Sequence, residues 1–124
     1  MILYPCIMSR KGYIGEKLVK DHLESRYASF SIIKVAIGGA MDYIVVGNGH
    51  LEYVVEVKTV HKEKWIPKAR GVYQLQRIVG FCESNACVFL LFVVSIVNRK
   101  ITIIEYDGAE YLARFQNKKD LPAP

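Results

Sequence analysis

Residues 51–60, Leu51-Glu52-Tyr53-Val54-Val55-Glu56-Val57-Lys58-Thr59-Val60, decide how this chain is read. Their β-branched content marks a strand. Yet Glu56 and Lys58 sit in its middle, two positions apart, and side chains two positions apart on a strand share a face. Val54, Val55, Val57 and Val60 flank them. Two readings stand. The pair is a solvated outer face, or it does chemistry. Exposed Glu-x-Lys pairs cost little, so the motif alone does not choose.

Outward from this strand the pattern is regular. Gly47-Asn48-Gly49-His50 is a hairpin turn signal, and residues 41–46 (MDYIVV) make the partner strand. Residues 29–37 (SFSIIKVAI) read as another strand, stopped by Gly38-Gly39. Residues 12–26 have helical spacing, with Ile14, Leu18, Val19 and Leu23 as the apolar stripe and Lys17, Lys20, Asp21 and Glu24 outward. Residues 61–70 (HKEKWIPKAR) form a basic loop around Trp65 and Pro67. Helical spacing returns over 71–84, with Val72, Leu75, Val79 and Cys82 on one face. Residues 86–97 (ACVFLLFVVSIV) are too short to span a membrane and read as a central strand buried on both faces. A last strand covers 101–107, and 108–124 is expected to be a polar tail. The fold class predicted is α/β, with element order α-β-β-β-α-β-β and two helices flanking the sheet. The chain is read as a single domain, 1–124, with its core at about 10–107.

The chain has 124 residues, 52% of them hydrophobic and 23% charged, values of a globular protein rather than a disordered one. The net charge of +5 permits a polyanionic partner. Three cysteines, Cys6, Cys82 and Cys87, are too few for a disulfide framework and point to a reducing, cytoplasmic setting. Cys82 and Cys87 read as small buried hydrophobes rather than metal ligands. The opening MILYPCIM lacks the basic region of a signal peptide, and no membrane association is expected.

Three carboxylates and a lysine carry the chemical reading. Asp42 opens the strand that precedes the hairpin and comes out of a Gly-rich turn. Glu16 borders the inward stripe of the first helix, where a carboxylate is costly unless a cation or donors meet it. Asp42, Glu56 and Lys58 on adjacent strands suit a hard cation. Mg²⁺ prefers oxygen ligands, often one or two carboxylates plus waters. The geometry sets a condition. A plain two-residue turn at Asn48-Gly49 puts Asp42 opposite Val55, on the face away from Glu56. A metal site therefore requires an odd loop, such as Gly47-Asn48-Gly49 with Gly49 at positive φ. Otherwise it requires a bulge between Asp42 and Val46 or between Leu51 and Glu56.

The pattern Asp42…Glu56-Val57-Lys58, in this strand order, resembles the PD-(D/E)xK nuclease superfamily. More narrowly, the chain is similar to the archaeal Holliday junction resolvases. The run Arg10-Lys11-Gly12-Tyr13-Ile14-Gly15-Glu16 resembles their basic-Gly-x-x-x-Glu helix start. Glu56-Val57-Lys58-Thr59, a basic loop, and Gln74 early in the next helix follow the same plan, so the resemblance covers about residues 10–106. It implies a restriction-endonuclease-like mixed β-sheet and a metal-dependent endonuclease acting on DNA, with branched or junction DNA favoured. Asp42, Glu56 and the carbonyl of Val57 would hold Mg²⁺, for which Mn²⁺ can substitute. Lys58 would position or activate the attacking water, Glu16 would hold a metal-bound water or a second ion, and Gln74 would support the site or contact phosphate. Two departures stand out: Met41 replaces the proline expected before the acidic residue, and the loop 37–40 is short. Junction resolution takes two symmetric cuts, which implies a homodimer; residues 86–97 and the aromatic tail are the expected interface. Two alternatives stay open: a viral or repair nuclease acting on other DNA, and a non-catalytic DNA-binding module.

Arg10, Lys11, Lys34, Lys62, Lys64, Lys68 and Arg70 are candidate DNA-binding residues, although a charge cluster is also the ordinary make-up of a solvated loop. Trp65 either stacks on a base or pins its loop to the core. His61 either touches phosphate or, with His22 and His50, is a surface histidine.

Overall fold

The computed structural model describes residues 2–3, 11–36 and 41–116. In chain order the elements are β1 (Ile2–Leu3), α1 (Lys11–Arg26), β2 (Ser31–Lys34), β3 (Tyr43–Gly47), β4 (His50–Val60), α2 (Ala69–Asn85), β5 (Val88–Val97), β6 (Lys100–Asp107) and α3 (Gly108–Gln116). The strands form one mixed sheet in the order β1-β6-β5-β4-β3-β2. Among the described strands only the β4–β5 pair is parallel, because α2 carries the chain back between them.

Alternation along the strands sorts the core into two layers. Tyr43, Val45, Val55, Val57, Leu90, Phe92, Val94 and Ile96 pack with Val19 and Leu23 of α1. Val54, Val60, Leu91 and Val93 pack with Val72, Leu75, Ile78 and Cys82 of α2 and with Tyr111 and Leu112 of α3. The helix at 108–116 corrects the expectation of a polar tail there. Asp107 caps it, its Oδ1 accepting from the N–H groups of Ala109 at 3.0 Å and Glu110 at 3.1 Å. An Asp followed three residues later by Glu is the pattern of a capping box.

β5 is the central strand that its composition predicts. Phe89–Ile96 are buried from both sides, and its one buried hydroxyl, Ser95 Oγ, donates to the carbonyl of Lys62 at 2.6 Å. That burial corrects part of the expected interface: Phe89–Ile96 of β5, with Tyr111 and Leu112 of α3, lie in the core and are not available to a second subunit. Cys82 is buried in the α2 layer as expected, Cys87 is only half-buried, and both are free. Among the described residues no helix is long and apolar enough to cross a membrane.

The hairpin satisfies the register condition through a bulge. Its turn is the two-residue one, Asn48-Gly49, with φ of 55° and 73°, the left-handed pair that glycine and asparagine tolerate and that matches strand twist. Pairing runs Gly47↔His50 and Val46↔Leu51, then Val45↔Tyr53, Ile44↔Val54 and Tyr43↔Val55. Glu52 is the extra residue. One further step along the ladder places Asp42 opposite Glu56, on the same face. The backbone N–H of Asp42 donates to the carbonyl of Val55 at 3.0 Å and holds that register.

Candidate active site

Because Asp42 and Glu56 are cross-strand partners, their carboxylates converge on the face that α2 covers. Asp42 Oδ2 accepts from the backbone N–H of Val57 at 2.7 Å. Glu56 is 4% exposed. Its Oε2 accepts from Lys58 Nζ at 2.9 Å and from Gln74 Nε2 at 3.0 Å. Gln74 Oε1 in turn accepts from Lys58 Nζ at 2.6 Å. Only one orientation of the Gln74 amide can both donate to a carboxylate and accept from an ammonium, so the network fixes it. Gln74 reaches the site because the first turns of α2 lie beside the end of β4.

The electrostatics are those of crowded, desolvated acids. Burial pushes the Glu56 carboxyl up to about 7, the charge of Asp42 adds to the rise, and Lys58 opposes it. Asp42 is also raised, first by burial, and the Val57 N–H pulls the other way. Glu56 Oε1 is buried and has no hydrogen-bond partner. A buried acceptor left unmade costs about 1–3 kcal/mol. The side-chain donors here are two carboxylates, both hard oxygen, and among the described residues no third acid, histidine or cysteine completes a protein cage. Mg²⁺ is commonly bound by one or two carboxylates plus waters and substrate phosphate. The orphaned Oε1 is the atom such an ion would satisfy, so the residues present fit it.

Glu16 stands apart. It lies on α1, its carboxylate is ion-paired with Lys34, and its carbonyl accepts from Tyr43 Oη at 3.3 Å. Asp42 feels its charge, but no hydrogen bond joins it to the Asp42–Glu56 cluster. The bond to Glu16 raises the Lys34 pKa and commits Lys34 to that partner.

Of the remaining candidates, Lys62, Lys64, Lys68 and Arg70 are all exposed. A cleft of about 510 Å³ runs from Lys58 and Gln74 past His61 to Lys62, Lys68 and Arg70. Arg10 and loop 37–40 lie outside the described residues, as does the side chain of Lys11, which opens α1. His50 sits 3.5 Å from Glu52 and His22 packs edge-on against Phe92. Trp65 takes the structural one of its two expected roles: its ring stacks on Tyr111 with centroids 6.0 Å apart, and Tyr111 Oη donates to its carbonyl. Sequence reasoning missed that the same ring faces Lys58, with Nζ 5.3 Å from its centroid.

No family model matches the chain, and no curated protein matches it by sequence. Solved structures do match. The Holliday junction resolvase Hjc of Archaeoglobus fulgidus overlays with a TM-score of 0.51 at 21% identity, covering 77% of this chain and 74% of that one. The structure of SSO0001 overlays with a TM-score of 0.41 at 22% identity, covering 89% of this chain and 61% of that one, too loosely to carry an argument. The first match shows the fold alone: the chain shares the restriction-endonuclease-like sheet expected above, with a third helix beyond the two expected.

Proposed function

We propose that this protein is a Mg²⁺-dependent DNA endonuclease, selective for branched DNA and for four-way junctions in particular. One observation carries the reading: a β-bulge at Glu52 brings Asp42 opposite Glu56, beside Lys58 and Gln74, and leaves a buried carboxylate oxygen without a donor. A structural salt bridge needs no such oxygen. The resolvase named above supplies the junction preference, by analogy of fold.

In this reading Asp42, Glu56 and the Val57 carbonyl hold the ion. When bound, it neutralises charge on the phosphate and lowers the pKa of a coordinated water. The rest is the work of the chain. The Val57 N–H orients Asp42. Gln74 and Lys58 together hold Glu56 Oε2, which leaves Oε1 as the oxygen that would meet the ion. Two of the three Lys58 N–H donors are committed to Glu56 and Gln74; the third serves the attacking water or a phosphate oxygen. The attacking water gives up a proton to solvent as its oxygen bonds to phosphorus, one ester P–O bond breaks, and the departing oxygen takes a proton from solvent. The exposed cations of residues 62–70 and the mouth of the cleft track the phosphate backbone. Glu16, held by Lys34, tunes the field at Asp42 in this scheme. Two symmetric cuts call for a homodimer.

The test is a substrate panel: supercoiled plasmid, linear duplex, single strand and a synthetic four-way junction, each with Mg²⁺, Mn²⁺ or EDTA. Metal-dependent cutting with the junction preferred supports the proposal. Equal cutting of all DNAs would point to a nuclease of other specificity, and gel shifts without cutting to a binding module.

A further inference from the structure

Lys58 has a third partner besides Glu56 and Gln74, and it comes from outside the acidic cluster. The Trp65 ring lies under its ammonium at 5.3 Å, within the range at which an aromatic face attracts a cation. The ring is itself held on its other contacts. It stacks nearly parallel on Tyr111, at an interplanar angle of 11°. Tyr111 reaches across to bond the Trp65 carbonyl, and packs against Tyr106 at 4.6 Å and Phe115 at 5.3 Å. Gly71, in the first turns of α2, leaves room for the ring: a Cβ there would stand 3.1 Å from Trp65 Cζ2. A tryptophan in an exposed basic loop is thus fixed between the lysine of the candidate active site and the C-terminal helix.

We propose that Trp65 is the positioning residue of Lys58, and that α3, through Tyr111, holds Trp65 in place. A four-carbon lysine side chain carries large rotamer freedom. Glu56 and Gln74 pull its ammonium toward the carboxylates, and the Trp65 face holds it from the cleft side, where phosphate would arrive. The consequence goes beyond the nuclease reading on which it rests: the helix at 108–116 is part of the catalytic support although it contributes no group to the site.

The test uses the full chain and two readouts. The first is the NMR resonance of the Lys58 ε-methylene, which ring current from Trp65 displaces from its unstructured value. The second is single-turnover cleavage of a four-way junction, with the DNA Kd measured separately. Trp65→Leu is expected to return the Lys58 resonance to the unstructured value and to slow cleavage by about tenfold with Kd unchanged, the scale of a lost cation–aromatic contact. Trp65→Phe, which keeps an aromatic face, is expected to restore most of the rate. Gly71→Ala retains every side chain but presses on the ring, and is expected to move the Lys58 resonance in the same direction; it decides the matter should Trp65→Leu not fold. A Lys58 resonance unmoved in these variants would overturn the proposal, as would equal rate losses in Trp65→Leu and Trp65→Phe. If the wild-type protein cuts no DNA, the nuclease reading falls, and the resonance alone still decides whether Trp65 positions Lys58.

Discussion

A carboxylate 4% exposed, with one oxygen lacking a donor, opposes folding until something neutralises it. Lys58 does so in part, and in the metal-free protein a proton does the rest below about pH 7. Burial and the neighbouring Asp42 raise Glu56 from 4.5 to about 7, so between those values the folded chain holds a proton that the unfolded chain has released. Stability therefore falls as pH rises through this window and levels off above it. Urea melts at pH 5 and pH 8 should differ by about 1–3 kcal/mol, and Glu56→Gln, which cannot ionise, should lose less than half of that. Mg²⁺ competes with the same proton. Its affinity is thus expected to rise from pH 6 to pH 8, and calorimetry in buffers of different ionisation enthalpy should register proton release on binding. A pH-independent Mg²⁺ affinity would mean that the ion binds away from Glu56. At this scale much was legible in the sequence, since residue types and the resemblance pick out Asp42, Glu56, Lys58 and Gln74. Glu16 stands apart from the cluster for a physical reason. Its place beside the inward stripe required a cation, and Lys34 from β2 meets that need.

The hairpin is the element on which the site depends. From sequence the condition could be stated, an odd loop or a bulge, but not which one applied. Asn48-Gly49 favours the two-residue turn, and the bulge then falls at Glu52, whose type gives no local signal for it. With β5 fixing the far half of β4, deleting Glu52 turns the bulge into a regular ladder: Val46 still meets Leu51, Val45 still meets Tyr53, and Asp42 stays opposite Glu56. The deletion is expected to keep Mg²⁺ binding, and its loss would show that the bulge also shapes the site by twist. Gly49, at φ 73° with open space around it, is constrained by backbone alone. Gly49→Val should cost about 1–2 kcal/mol in a urea melt without altering the site. Helix α3 was legible but unread: Asp107 and Glu110 form the capping pattern, and Tyr111, Leu112 and Phe115 have helical spacing. What the sequence could not reveal is its docking partner, because the stacking of Tyr111 on Trp65 joins residues far apart in the chain.

Across the whole molecule the sheet separates two tasks. One face packs on α1 and is mostly core. The other carries the acidic cluster under α2, with the basic cleft opening beside it. If that cleft tracks phosphates, reversing the charge of Lys62 and Lys64 together should weaken DNA binding alike for all sequences and flatten the dependence of log Kd on log salt by about one to two units. An unchanged slope would move the phosphate surface elsewhere on the protein. The central claim, that Asp42, Glu56, Lys58 and Gln74 form a Mg²⁺-dependent hydrolytic centre, is tested most directly by Glu56→Gln. The substitution preserves side-chain shape and strand packing while replacing a Mg²⁺-ligating carboxylate with a poorer, neutral ligand. Single-turnover cleavage of one four-way junction and a gel shift on the same DNA should be measured for wild-type and variant protein in Mg²⁺. The account predicts that the variant binds with near-native affinity and does not cut; cleavage by Glu56→Gln at the wild-type rate would contradict it.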